Sequence, residues 1–176
     1  MHKRLPGFPA IVQVYAVIAV MFAGWTITAF AWKLSAWLLL LNAGEIFAIF
    51  SYAMAVNFLE SLTILLILLA AGALLPAPLL RDDFVARGTI LSVGLIGAMM
   101  AFVAAHMRSG MFSSLQLLIP PLVPLVLTGF LLVRLSGLPF LRSAAVWVSD
   151  RVVIFLFILL PLFVILSGVV IVRNIA

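Results

Sequence analysis

Apolar residues fill this chain in long blocks, separated by short stretches rich in proline or charge. The first block, residues 10–31, follows Lys3, Arg4, Pro6 and Pro9. It is long enough to cross a bilayer, since about 20 residues rising ~1.5 Å each traverse the hydrocarbon core. Trp25 and Trp32 fall toward its far end, where amphipathic rings favour the interface. The basic start and the small-x-small triplet Ala29-Phe30-Ala31 also fit a signal peptide. The apolar stretch exceeds a signal core of about 7–15 residues, however, which favours an uncleaved anchor.

The second block, residues 34–75, contains no proline. Its length would make about 60 Å of helix, twice the hydrocarbon thickness. It divides either into a surface-lying piece over 34–41 followed by one long tilted span over 43–75, or into two short spans. Pro76 and Pro78 end it. A third span covers 88–105, closed by His106 and Arg108. A fourth covers 115–135, where Pro120, Pro121 and Pro124 impose a late start or a kink. Gly137, Pro139 and Arg142 mark a loop, with a short helix over 143–148. A fifth span, 152–172, lies between Asp150 and Arg173, whose charges complement the helix dipole.

Charge decides between one long span and two over residues 34–75. With five spans and an inner N-terminus, the inner segments hold Lys3, Arg4, Arg81, Arg87, Arg134, Arg142 and Arg151, and the outer ones hold Lys33, Arg108 and Arg173. Six spans would move most of the basic residues outside, against the positive-inside rule. The expectation is an all-α, polytopic transmembrane helical bundle of five spans, a single transmembrane domain over 1–176. It would sit in the cell (inner) membrane, N-terminus cytoplasmic and C-terminus outside.

Composition agrees with the pattern. Of 176 residues, 67% are hydrophobic and 9% charged, against roughly 45–50% and about 25% in a soluble domain. Mean hydropathy is +1.41. A soluble enzyme, a nucleic-acid-binding domain and a disordered chain are excluded. The net charge of +5 comes from basic residues spread singly between apolar blocks, which marks topology and attraction to anionic headgroups, not a nucleic-acid face. The chain has no cysteine, hence no disulfide, thiolate metal site or cysteine nucleophile.

Ionisable residues inside spans are costly and point to function or to interhelical bonding. On a helix through the second block, Asn42, Glu45, Tyr52, Asn57, Glu60 and Thr63 fall within an arc of roughly 140° at about 100° per residue, with Ser51 opposite. This stripe should face protein or a water-filled cleft. It reads either as hydrogen-bonding glue between helices or as a ligand or ion site built on Glu60 and Asn57, with Tyr52 and Glu45 beside them. Glu45 also fits an interfacial position. Gly97, Ala101 and Ala105 repeat at i, i+4 and i+8 and form a small-residue face for close helix packing.

Little else suggests chemistry. His106 at a span end reads as interfacial or as a pigment, haem or metal ligand, with His2 too near the terminus to count as a second. Asp82 and Asp83 are adjacent and point about 100° apart on a helix, so they fit a cap or partners for Arg81 and Arg87 better than an acid/base pair. No catalytic triad, phosphate loop, metal motif or nucleic-acid signature is present. No catalytic residue, cofactor or metal is therefore assigned.

Trp147-Val148-Ser149-Asp150-Arg151, the apolar run with Pro161, and Val172-Arg173-Asn174, taken with five spans in this orientation, resemble the membrane part of lipoteichoic-acid-synthase-like sulfatases. The resemblance implies a five-helix bundle of the kind that precedes an extracellular metal-dependent domain. The sequence ends at Ala176, where that domain would begin, so no catalytic threonine or metal ligand carries over.

Three functions are open to such a chain. The first is a non-catalytic anchor, scaffold or small subunit of a membrane assembly, with membrane lipids and other membrane subunits as partners. The second is a transport or binding protein with a polar intramembrane site at Glu60 and Asn57. The third, suggested by the resemblance alone, is the membrane part of an enzyme handling lipid-linked substrates.

Overall fold

The computed structural model describes residues 6–80, 82–109 and 122–175, and within them every regular element is a helix. The helices are α1 (Phe8–Leu40), α2 (Ala43–Leu74), α3 (Ala77–Leu80), α4 (Phe84–Ser109), α5 (Leu122–Leu135) and α6 (Pro139–Ile175). Among the described residues, α1, α2, α4 and α6 are long and apolar enough to cross a membrane. Helix α5 has 14 residues, about 21 Å of rise. It begins directly after Pro120-Pro121, with Pro124 in its first turn, where a missing N–H costs no intrahelical bond. The remainder of the fourth span expected from the sequence lies outside the described residues.

The long second apolar block is cut where its polar chemistry changes. No separate surface piece forms over 34–41: those residues continue α1 to Leu40, and Leu41 N–H closes the end on Trp37 O at 2.8 Å. Asn42 then caps α2. Its side chain accepts from Glu45 N–H at 2.9 Å, and Asn42 N–H donates to the Glu45 carboxylate at 2.9 Å. This reciprocal pair satisfies two donors that a helix start leaves free. Helix α2 ends at Leu74 because Pro76 cannot donate and disfavours helical backbone in the residue before it. The stretch with Pro139 and Arg142 is likewise helix, not loop. Pro139 opens α6, where its fixed φ suits a first helical position, and the short helix expected over 143–148 is its continuation.

Helix α1 lies at the centre and packs against α2, α4 and α6, while α5 packs on α4. Val14, Ala16, Ile18 and Ala19 of α1 are fully buried, and Ala16, Ala19 and Ala23 form the small face that lets neighbours approach. Tyr15 beside Ser61 and Asn57 beside Phe22 make α1 and α2 antiparallel. Tyr52 beside Asn174 and Phe58 against Phe163 make α2 and α6 antiparallel. Gly88, at the start of α4, sits where an added Cβ would lie 3.1 Å from Val14 Cγ2, so α1 and α4 start at the same end. Arg142 pairs with Asp83, and Gln13 donates to Asp150 at 2.7 Å, which gathers Arg142 and Arg151 at that end with Arg87. Arg173 lies at the other, beside Leu41 and Glu45.

The outward surface is apolar. Leu39, Leu40, Phe157, Ile158 and Ile165 are among many large apolar side chains that stay exposed on the long helices. In water such an area would drive aggregation; on helices of this length it is the surface that lipid covers. The chain is an all-helical protein of transmembrane type.

Candidate functional site

Buried residues of α2 are Ile46, Ala48, Ser51, Met54, Asn57, Ser61, Leu65, Leu68 and Gly72. On the angular scale that sets Asn42 to zero, most of them cluster near 100°, whereas the polar stripe is centred near 350°. The two faces share one residue, Asn57. Helix α2 therefore turns the stripe away from the core by about a quarter to a third of a turn, and its six members separate into different roles.

Asn42 and Glu45 form the helix cap and belong to the end of the bundle. Tyr52 reaches across to α6, its hydroxyl donating to Asn174 Oδ1 at 3.1 Å. Thr63 bonds back to Leu59 O at 2.8 Å on its own helix. Asn57 is buried, and its Nδ2 donates to Phe22 O on α1 at 3.3 Å. Glu60 is exposed and has no hydrogen bond or ion pair among the described residues. Interhelical bonding thus accounts for Tyr52 and Asn57 and leaves Glu60 over.

Glu60 borders a groove between α1, α2 and α4 with a cavity of about 460 Å³. Helix α1 contributes Phe22, Trp25 and Thr26, α2 contributes Asn57, Glu60 and Ile64, and α4 contributes Leu91, Ser92, Met99 and others. The walls are mainly aliphatic, aromatic and methionine side chains, with the polar groups of Thr26, Asn57, Glu60 and Ser92 set among them. This is the composition of a small-molecule pocket, whose volumes run about 300–1,000 Å³. Glu60 is separated from the two ends of α2 by 17 and 14 residue steps, about 26 and 21 Å of rise. Both exceed half the ~30 Å hydrocarbon thickness, so the carboxylate lies deep between the helix ends.

Ser92 was not singled out by sequence reasoning. Its hydroxyl is buried without a hydrogen-bond partner among the described residues, as is that of Thr89 one turn before. Ser51, Ser61 and Thr63 all satisfy their hydroxyls on carbonyls of their own helix, so the orphaned Ser92 is a departure at the groove wall. Trp25 is also reassigned. Because α1 runs to Leu40, Trp25 falls near mid-helix and faces the groove instead of marking an interface, while Trp32 remains exposed. The sequence signal for this wall was Ser92, Ile96, Met99 and Val103 at i, i+4, i+7 and i+11, one helix face; which helix that face meets is not encoded in the spacing.

The small-residue face of α4 divides as well. Gly94 is closed against α5, where an added Cβ would lie 2.2 Å from Leu132 Cδ1. Gly97 has open space at the same position, and Ala101 and Ala105 are exposed. The Gly97, Ala101 and Ala105 stripe thus makes no close packing with another described helix of this chain. The side chain of His106 lies outside the described part of the structure, and no group of three or more potential metal ligands occurs among the described residues. No family model, no curated protein and no solved structure matches this chain.

Proposed function

We propose that the protein is a non-catalytic membrane-embedded binding protein that takes a small, largely apolar ligand from the lipid phase into the groove at Glu60 and Asn57. One observation carries this reading: an acidic side chain deep along the apolar α2 has no partner among the described residues and borders a ligand-sized groove. A carboxylate at such depth is expensive unless something pairs with it. Mild-detergent purification followed by mass analysis tests it. Wild type retains a small molecule that Met99→Trp, which fills the groove from its exposed rim, fails to retain; equal retention by both proteins refutes the reading.

The proposed arrangement in the membrane is five spans in the cell (inner) membrane, with α5 as the short fourth and the end carrying Arg87, Arg142 and Arg151 in the cytoplasm. Their gathering at one end supports this orientation. A reporter fused to the C-terminus would then read outside, and a cytoplasmic signal would overturn it. A second reading, an anchor or small subunit of a membrane assembly, is favoured by the open Gly97, Ala101 and Ala105 stripe. On that reading, bulky residues at Gly97 or Ala101 leave the bundle stable and release a co-purifying membrane subunit.

A further inference from the structure

We infer that the groove selects a lipophilic organic cation, an apolar body carrying one positive charge, with Glu60 as its counter-ion; this rests on the binding reading above and adds the chemistry of the ligand. Three other acidic residues already have partners. Glu45 caps Asn42, Asp83 pairs with Arg142, and Asp150 accepts from Gln13. Asp82 is exposed in the turn before α4, at the bundle end. Glu60 differs from all of these in being distant from both ends of its helix and unpaired among the described residues.

The counter-charge is not supplied by the groove itself. Among its described lining residues there is no Lys, Arg or His, and Glu60 is the only titratable side chain. A positive charge brought by the ligand would meet the carboxylate in surroundings of low dielectric, where an opposite charge counts for more than in water. The walls suit the rest of such a molecule. Phe22 and Trp25 present aromatic rings, which attract cations through their faces, and Met99 and Met100 are polarizable and adaptable. An anionic ligand would meet the carboxylate with like charge. A neutral apolar one would leave the Glu60 carboxylate without a counter-charge.

Tetraphenylphosphonium and tetraphenylborate, matched in shape and opposite in charge, test this directly. Binding of each is measured to the full chain in phosphatidylcholine nanodiscs, with empty discs as the partition blank. The cation should bind saturably and the anion should not. Glu60→Gln should weaken cation binding by about tenfold or more, and Glu60→Asp, which keeps the charge, should retain it with the same circular dichroism as wild type. Protons compete for the carboxylate, so cation binding should strengthen as pH rises in wild type and be flat in Glu60→Gln. If both ions bind alike, or Glu60→Gln binds the cation as well as wild type, the cation assignment fails while the groove remains a binding site. If neither ion binds saturably, the cation assignment and the binding reading fail together.

Discussion

Replacing Gly94 by valine should force the Leu132 side chain of α5 out of its place against α4, and the cost follows from three distances. A Cβ at Gly94 would stand 2.2 Å from Leu132 Cδ1, 2.8 Å from Cδ2 and 3.1 Å from Cγ. Carbon atoms settle at about 3.5–4.0 Å, so Leu132 must retreat by more than ~1 Å even before the two further carbons of valine are placed. Overpacking of this kind costs about 1–3 kcal/mol. Valine is a better helix former than glycine by only a few tenths of a kcal/mol, ~0.3, which offsets little. The expected net loss is about 1–2.5 kcal/mol. Gly97→Val, one turn further along the same helix, meets no heavy atom within 4 Å at Cβ and should change stability by about 0.5 kcal/mol or less. Gly94→Val adds three carbons and Leu132→Ala removes three, so the double substitution conserves volume and should recover ~1–2 kcal/mol relative to the sum of the single changes. Unfolding by sodium dodecyl sulfate in mixed micelles, followed by far-UV circular dichroism, measures all four proteins. Equal losses at Gly94 and Gly97, or simple additivity of Gly94→Val with Leu132→Ala, would refute the packing of α4 on α5.

The same assay addresses two polar contacts. Asn42→Ala removes the side-chain acceptor of the α2 cap, leaves the backbone N–H of residue 42 free to donate to the Glu45 carboxylate, and should cost about 1 kcal/mol, with Glu45→Ala on that background adding less than it does alone because the two halves of the cap support each other; full additivity would count against the reciprocal cap. Tyr15→Phe deletes the 3.3 Å contact with Ser61 while Ser61 keeps its bond to Phe58 O, so nothing is orphaned and the loss should be near ~0.6 kcal/mol, as is usual for hydrogen bonds between membrane helices. A loss beyond ~2 kcal/mol would mean that the tyrosine hydroxyl does more than join α1 to α2.

Much of this architecture was legible along the chain because helices in lipid must satisfy their own backbone. Length and apolarity therefore announce the long helices directly, and Pro76 announces the stop of α2. The boundary at Asn42 was legible too. Asn-x-x-Glu is a helix-start signature, and reading Asn42 and Glu45 as part of a stripe obscured their local role. The extent of α1 was harder, since residues 32–40 are as compatible with a surface piece as with two and a half more turns.

The candidate site divides the same way. Sequence alone marks Glu60 as costly, because a carboxylate among apolar residues needs a partner wherever the helix points. It also predicts which residues share a face, because the period of a helix is fixed. Spacing does not say what stands opposite that face, nor how far the helix is rotated. The tertiary structure decided that Asn57 turns inward to Phe22, that Tyr52 reaches α6, and that Trp25 and Ser92 join Glu60 at one groove. It likewise closed α5 over Gly94 and left Gly97 open. The reason is physical: burial against lipid carries little hydrophobic preference for one helix face over another, so rotation and neighbours are set by close packing and a few hydrogen bonds between residues distant in sequence.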